Sequence, residues 1–393
     1  MPYIFHTNRY FSLINATPKN GVFCQSFSPS SSKPIPISSQ YTTDYSAHMD
    51  TNGKLYVAVM PDAFHLNYYI YEGNRFARNS LISNANSNFI LTSPIIYTLQ
   101  NTPYIVYLSH QAESTSYNFV QENLYNPQLI TLLTCHTQPS LIKSYITPYQ
   151  LFVFFITHDE GYHLNVLQIS ETQVTSSVYL NSPQPISDYS VCIEEDTLHI
   201  TYISELHGKY QLSYFNNYSN QITTLVTTQY PCYPVIFCYY NIIWINALIN
   251  HKLQMIISID NGKTFSLPAP CSIQNNIHRC YFLTHTTSPF IGQEIYASIT
   301  SYLKLCTLSM IDFPRFHTDT VISSELELLL EGLLLTIESA SSSTQTLVPK
   351  TEPPISQPTK PSSSESTTSG HTISDAKSAF MNELTGWDLP PRL

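Results

Sequence analysis

Charge is scarce in this chain. Only 11% of its 393 residues are charged, against roughly 25% in ordinary soluble domains, so Ser, Thr, Asn and Gln must supply the polar surface. The formal charge of −10 divides evenly: 13 basic and 18 acidic residues run up to Ser323, with 4 basic and 9 acidic after it. No concentrated Lys/Arg footprint exists, which excludes a nucleic-acid partner. Glycine is equally sparse. Seven precede Ser323, so tight turns must be built from Asn, Asp and Ser. The eight cysteines (Cys24, Cys135, Cys192, Cys232, Cys238, Cys271, Cys280, Cys306) include no C-x-x-C pair. Most lie in apolar runs and read as core thiols of a reducing, cytoplasmic compartment; a disulfide set is the other reading. No basic leader precedes an apolar stretch at the start, so no secretory signal is expected. The longest apolar-rich run, Leu326 to Ile337, carries Glu331 and is too short to span a membrane.

Aromatic residues are plentiful. With 29 Tyr against 10 Gly, the composition favours half-buried pleated sheets. Six apolar strand-like runs recur: LYVAVM from Leu55, YIVYL from Tyr104, LFVFFI from Leu151, LHITYI from Leu198, IIWINAL from Ile242 and EIYASI from Glu294, at spacings of 44 to 52 residues. That period fits a propeller blade. Each run follows a second strand-like segment, and these resemble one another in pairs: DYSAHM at Asp44 with DYSVCI at Asp188, and TSPIIY at Thr92 with CYPVIF at Cys232. A third segment follows each run after a polar turn, and a fourth closes the unit, clearest where NRFARNSLIS at Asn74 matches PRFHTDTVIS at Pro314. Four strands per unit make one blade, and a blade must share its core with neighbours around an axis.

The expected fold class is therefore all-β, a six-bladed β-propeller within residues 1–323, with blades over 41–323. Residues 1–40 hold the strand-like IFHTNRYFSLI and GVFCQSF, which look like the last two strands of a unit. They either close the ring on the last blade or belong to an incomplete seventh. Residues 324–339 are Leu-rich at helical spacing and predict a short helix. Residues 340–373 are a Ser/Thr/Pro tract expected to be a disordered linker. Residues 374–393 predict a short helical docking peptide for a protein partner, anchored by Phe380, Leu384, Trp387 and Leu389; an end that folds back on its own propeller is the competing reading.

The stretch SIDNGKTF, residues 258–265, lies where the third strand of the fifth unit turns toward the fourth. Asp260 can accept backbone N–H groups across that turn, Gly262 supplies a positive φ, and Phe265 returns to the core. It resembles the Asp box of the sialidase-like propellers, also called the BNR repeat, with Ser258, Asp260, Gly262, Thr264 and Phe265 on the motif positions. The resemblance implies a propeller in which this box is a folding signature at the edge, away from any catalytic centre. It also implies, for an active sialidase, three arginines on the substrate carboxylate, a Tyr/Glu nucleophile pair and an Asp acid. The body offers only Arg9, Arg75, Arg78, Arg279 and Arg315, and no R-I-P motif, so that clamp is not supported.

Glycosidase chemistry of another kind needs two facing carboxylates. Asp44 and Asp188 head innermost strands and are the best pair available, although a repeated D-Y-S also reads as a strand-start cap. His158-Asp159-Glu160-Gly161-Tyr162-His163 carries metal-type side chains in a turn where polar residues belong, and no metal or cofactor is expected. The resulting expectation is a non-catalytic recognition scaffold. Its ligand, a carbohydrate or a peptide, would meet Asp44, Tyr45, Asp188, Tyr189, Tyr233 and Arg279 at the channel mouth. The alternative is a divergent sialidase-like glycoside hydrolase using the channel carboxylates.

Overall fold

The computed structural model describes residues 1–306, apart from 8–9, 29, 84–87, 240, 272–274 and 285–289. Met1–Cys306 forms one compact unit. Residues 307–393 lie outside the described residues, and with them the expected helix, linker, docking peptide and Arg315; Arg9 lies outside them too.

Seven successive antiparallel meanders make up the described body. The first is β1 (Tyr3–His6), β2 (Phe11–Thr17), β3 (Gly21–Phe27) and β4 (Ile35–Ser38). The second is β5 (Tyr45–Met49), β6 (Leu55–Asp62), β7 (His65–Tyr71) and β8 (Phe76–Ser83). The third is β9 (Phe89–Leu99), β10 (Thr102–Gln111), β11 (Tyr117–Asn123) and β12 (Leu129–Cys135). The fourth is β13 (Ser140–Ile146), β14 (Gln150–His158), β15 (Tyr162–Ser170) and β16 (Val174–Ser182). The fifth is β17 (Ile186–Glu194), β18 (Thr197–Leu206), β19 (Lys209–Asn216) and β20 (Ile222–Thr228). The sixth is β21 (Pro234–Tyr239), β22 (Ile242–Ile249), β23 (Lys252–Ser258) and β24 (Ala269–Pro270). The seventh is β25 (Ile277–Thr284), β27 (Glu294–Ile299) and β28 (Leu303–Leu305), while the short β26 (Phe290–Ile291) between them adds to the edge of β21. No helix occurs among the described residues.

This is the sheet arrangement of a β-propeller, and the six apolar runs are second strands: β6, β10, β14, β18, β22 and β27. The N-terminal segment departs from the two strands expected of it. It forms four, because IFHTNRYFSLI holds a hairpin, β1 and β2, and the proline-flanked IPIS supplies the outer strand β4. Its β2 also lies 44 residues before Leu55, within the repeat period, but the polar FSLINAT does not register as an apolar run. β1 then pairs in parallel with β25, Tyr3 opposite Tyr281 and His6 opposite Thr284, joining first and last meanders edge to edge.

The core lies between meanders. One apolar cluster joins the first meander to the second through Tyr3, Phe5, Val57 and Val59. Others join the second to the third, the third to the fourth, the fourth to the fifth and the fifth to the sixth. The second to fifth meanders are thus buried on both faces only when their neighbours are present.

The paired motifs dock on each other. Ser46 Oγ accepts the N–H of Ile96 at 2.8 Å, and Ser190 Oγ accepts that of Ile236 at 3.1 Å. The serine of each D-Y-S therefore clips the first strand of the next meander, where T-S-P-I-I and C-Y-P-V-I sit. Asn does the work of the missing glycine: it fills six of twelve non-glycine positive-φ positions among the described residues, including Asn101, Asn250 and Asn261. No Asp is among them, so of the three residue types expected in turns Asn dominates, as its tolerance of the left-handed region predicts. No disulfide joins any of the eight cysteines, and seven of them are buried.

Candidate functional site

Three first strands, β13, β17 and β25, and the start of β27 bring four charged side chains together. Lys143 Nζ stands 3.0 Å from Asp188 Oδ1 and 3.3 Å from Glu294 Oε1. Arg279 places Nη1 2.5 Å from Asp188 Oδ2 and Nη2 2.6 Å from Glu294 Oε2. Two cations and two carboxylates make a neutral tetrad, with side chains 11% exposed or less. Backbone closes it. Arg279 Nη2 donates to the Tyr189 carbonyl at 2.8 Å, Lys143 Nζ donates to the same carbonyl, and the Tyr189 N–H donates to Asp188 Oδ1 at 2.7 Å. Ser190, already the clip to β21, donates its hydroxyl to Glu294 Oε2.

Electrostatics follow from that geometry. Burial works to raise the Asp188 pKa, but the charges of Lys143 and Arg279 outweigh it and hold the carboxyl below its ordinary value. Burial likewise opposes the Arg279 charge, and Glu294 with Asp188 more than restores it. Arg279 Nε remains a buried donor with no partner. Such a cluster is costly to assemble and costlier to break, since losing one member strands a buried charge.

The other expected residues fall into place around it. Tyr189 is fully buried, its hydroxyl donating to the Leu141 carbonyl at 2.5 Å and its ring lying 4.8 Å from Lys143 Nζ. Tyr45 is buried on the second meander, its ring 5.9 Å from that of Tyr3. Both rings therefore fill inter-meander core. Tyr233 is 49% exposed and offers its carbonyl to the Tyr296 hydroxyl. Asp44, just before β5, has its pKa raised by burial against a hydrogen bond from the Ser93 backbone. Asp44 shares one electrostatic neighbour with the tetrad, the Met1 amino group, whose pKa burial lowers while Glu294 and Asp44 raise it and Arg279 lowers it. Asp188, Tyr189 and Arg279 are thus one cluster, and Asp44, Tyr45 and Tyr233 lie outside its hydrogen bonds.

Lys143, Glu294 and Ser190 escaped the sequence reading. The available signal was a charge inside an apolar strand, in LIKSYI and at the head of EIYASI, in a chain with few charges to spare. Nothing in one sequence shows which strands face each other.

The loop after β23 is built as its residues imply. Asp260 Oδ1 accepts the N–H groups of Lys263 and Thr264 at 3.1 and 2.9 Å, and Oδ2 accepts the Thr264 hydroxyl at 2.7 Å. Ser258 donates to Asp260 Oδ1 at 2.8 Å and accepts the Gly262 N–H at 2.9 Å. Gly262 has φ +83°, and a Cβ there would lie 2.1 Å from the Tyr214 hydroxyl. Phe265 packs edge-on against Tyr214, centroids 4.7 Å apart. The loop lies on the outer side of the sixth meander, and its polar atoms are spent on itself. At the start of β15, His163 is likewise engaged, with Nε2 2.7 Å from Asp159 in the preceding turn and Nδ1 2.5 Å from Asn181.

Among the described residues, clefts open between consecutive meanders. One, of about 320 Å³, is bordered by Tyr104, Gln121, Asn123 and Glu171; the other, of about 240 Å³, by Ser39, Asn67, Tyr69 and Arg78. Small-molecule sites usually begin near 300 Å³, so only the first reaches that size.

No protein-family model matches this chain, and no curated protein matches its sequence. Among solved structures it is similar to the SapL1 lectin in complex with alpha methyl fucoside, at 8% identity and a TM-score of 0.41 over 68% of this chain and 94% of that one. It is similar to the BBS1N chain solved with ARL6DN, at 10% identity and a TM-score of 0.44 over 76% and 88%. It is also similar to a Mycobacterium tuberculosis puromycin-hydrolyzing peptidase, at 9% identity and a TM-score of 0.49 over 77% of this chain and 52% of that one.

Proposed function

We propose that this chain is a non-catalytic recognition scaffold of the BNR-like β-propeller kind, closed as seven blades by the β1–β25 pairing. Its ligand, a carbohydrate or a peptide, binds at the channel mouth, where Tyr233 is exposed and Asp44 lies nearby, over a floor made by the buried Asp188 and Arg279 with Tyr45 and Tyr189 as the apolar wall behind them. A protein partner docks on the C-terminal peptide carrying Phe380, Leu384, Trp387 and Leu389. The observation that carries the reading is the tetrad. Both oxygens of Asp188 are engaged by cations and the group is held ionised, which suits a rigid, charge-balanced floor and leaves it unable to give up a proton at neutral pH.

One observation favours the hydrolase alternative. The Asp44 pKa is raised and that of Asp188 lowered, the divergence expected of an acid and its partner carboxylate. Against it, Asp188 is buried under Lys143 and Arg279, with no oxygen free to meet a sugar. The test has two arms. Purified full-length protein is screened for turnover of aryl glycosides, a sialoside included, and no turnover is expected. The same chain, and one with Phe380, Leu384, Trp387 and Leu389 changed to alanine, serve as baits in affinity capture. A partner held by the first bait and lost by the second is expected; identical captures, or turnover abolished by Asp44→Asn, would overturn the reading.

A further inference from the structure

A second cluster lies between the fifth and sixth meanders. On β17, Cys192 and Glu194 are two residues apart and so share a face. His199 on β18 stands directly opposite Cys192 in the antiparallel register, and Asn216 on β19 opposite His199, which puts them on that same face. Cys238 on β21 approaches from the sixth meander. One His nitrogen, one Glu oxygen and the Cys238 sulfur lie within 4.8 Å of one another, and Cys192 Sγ is 3.6 Å from Cys238 Sγ. His199, Cys192 and Cys238 are fully buried, and the Glu194 side chain is 19% exposed.

His199 has two nitrogens and one partner. Nδ1 is 2.7 Å from the Tyr214 hydroxyl, which also accepts Asn216 Nδ2 at 3.1 Å. Nε2 is buried without a hydrogen bond and points toward Glu194, 3.7 Å away. With Nδ1 taken by the Tyr214 hydroxyl, the fully buried Nε2 is the nitrogen left to offer a lone pair to a ligand. A buried imidazole oriented through one nitrogen by a hydroxyl, with its other nitrogen facing a carboxylate and a thiol, is the donor arrangement of a metal ligand and its outer-sphere support.

We propose that His199 Nε2, Glu194 and Cys238 bind a divalent zinc ion, with Cys192 as the nearest fourth donor. The chemistry fits on three counts. Neutral imidazole, carboxylate and the Cys238 thiolate sum to two negative charges, which balance the ion inside an apolar interface; a Cys192 thiolate as fourth donor leaves the site with one net negative charge. Sulfur with nitrogen selects zinc over magnesium or calcium. Two thiolates at about 2.3 Å from a tetrahedral zinc stand about 3.7 Å apart, close to the separation found. Binding deprotonates Cys238, and also Cys192 where it completes the tetrahedron in exchange for its hydrogen bond to the Ile291 carbonyl; the protons leave to solvent along the partly open Glu194 side. The ion ties β17 and β18 to β21, so its effect is to clamp two neighbouring meanders.

The structural position gives a control within the molecule. His48 and Thr98, at the equivalent places in the second and third meanders, hold Nε2 and Oγ1 3.0 Å apart; Cys192 and Cys238 replace that pair with sulfur.

The test uses the reduced full-length chain, equilibrated with zinc and freed of excess by gel filtration. About one zinc per chain is expected by elemental analysis, and cobalt(II) in its place should give a thiolate-to-cobalt charge-transfer band. His199→Gln and Cys238→Ser should lose both, Tyr214→Phe should weaken zinc about 10–100-fold in competition with a chromophoric chelator, and Cys135→Ser, outside the cluster, should change neither. The cobalt spectrum of the unaltered chain decides the matter even where a variant fails to fold. Wild type without stoichiometric zinc or without the cobalt band overturns the proposal, as does binding that survives in folded His199→Gln and Cys238→Ser. A Cys192–Cys238 disulfide in protein isolated under reducing conditions overturns it as well.

Discussion

Replacing Arg279 by methionine removes one charge from the tetrad while keeping most of the apolar stem. Asp188 and Glu294 are then left with Lys143 alone, 3.0 and 3.3 Å away. Asp188 Oδ2 loses its partner, Glu294 Oε2 keeps only Ser190, and the Tyr189 carbonyl loses one of two donors. All four side chains are nearly out of solvent, so screening offers little relief. Breaking a buried pair in this way costs about 3–5 kcal/mol, which for a body of this size lowers Tm by roughly 6–10 °C at about 2 °C per kcal/mol. Thermal and urea unfolding of wild type and R279M measure it. Adding Glu294→Gln should recover part of the loss, because it removes the carboxylate that Arg279 no longer balances, giving a favourable coupling of about 0.5–3 kcal/mol. The acid limb should change too. The folded pKa of Asp188 is depressed, so its contribution is complete above the unfolded value near 3.9 and is lost as pH falls below it. In R279M that depression shrinks and the acid limb flattens. A loss under about 1 kcal/mol, as for an exposed ion pair, or a double variant no better than the sum of the singles, would refute the picture of a buried, mutually dependent tetrad.

Three further outcomes follow from the same geometry. Ser46→Ala strands the Ile96 N–H at a buried junction and should cost about 1–3 kcal/mol; Ser190→Ala should cost more, because it also removes a donor from Glu294, and equal effects in urea unfolding would contradict the shared role. Asp260→Asn should destabilise by about 1–2 kcal/mol. Burial opposes the Asp260 charge, but hydrogen bonds from Thr264, Ser258 and Lys263 prevail and lower its pKa; its contribution is present above the ordinary carboxylate pKa and lost below it, so unfolding of D260N should depend less on pH near 4. Gly262→Ala meets both a positive φ and the Tyr214 hydroxyl and should cost about 1–3 kcal/mol, with Tyr214→Phe relieving part of the clash; calorimetry of the single and double variants reads this directly.

The local half of this molecule was written in its residues. Alternating apolar positions at a 44- to 52-residue period marked the second strands, SIDNGKTF marked a self-satisfied turn, and the shortage of glycine marked Asn, Asp and Ser as turn residues, because each depends on neighbours within a few positions; that Asn would lead them was not marked. The first meander was half-hidden, since FSLINAT is too polar to stand out and a Pro-rich stretch covers β4. Docking was legible only in part, in the expected convergence of Asp188, Tyr189 and Arg279. Asp188, Arg279, Lys143 and Glu294 are up to 151 residues apart in sequence, and His199 on the second strand β18 meets Cys238 only because the fifth and sixth meanders lie side by side. D-Y-S could be seen to repeat but not why: its serine holds the next meander, and its aspartate is an ion-pair partner in the fifth meander only. A strand's period fixes which residues share a face, but only the packing of one meander on the next decides what that face meets.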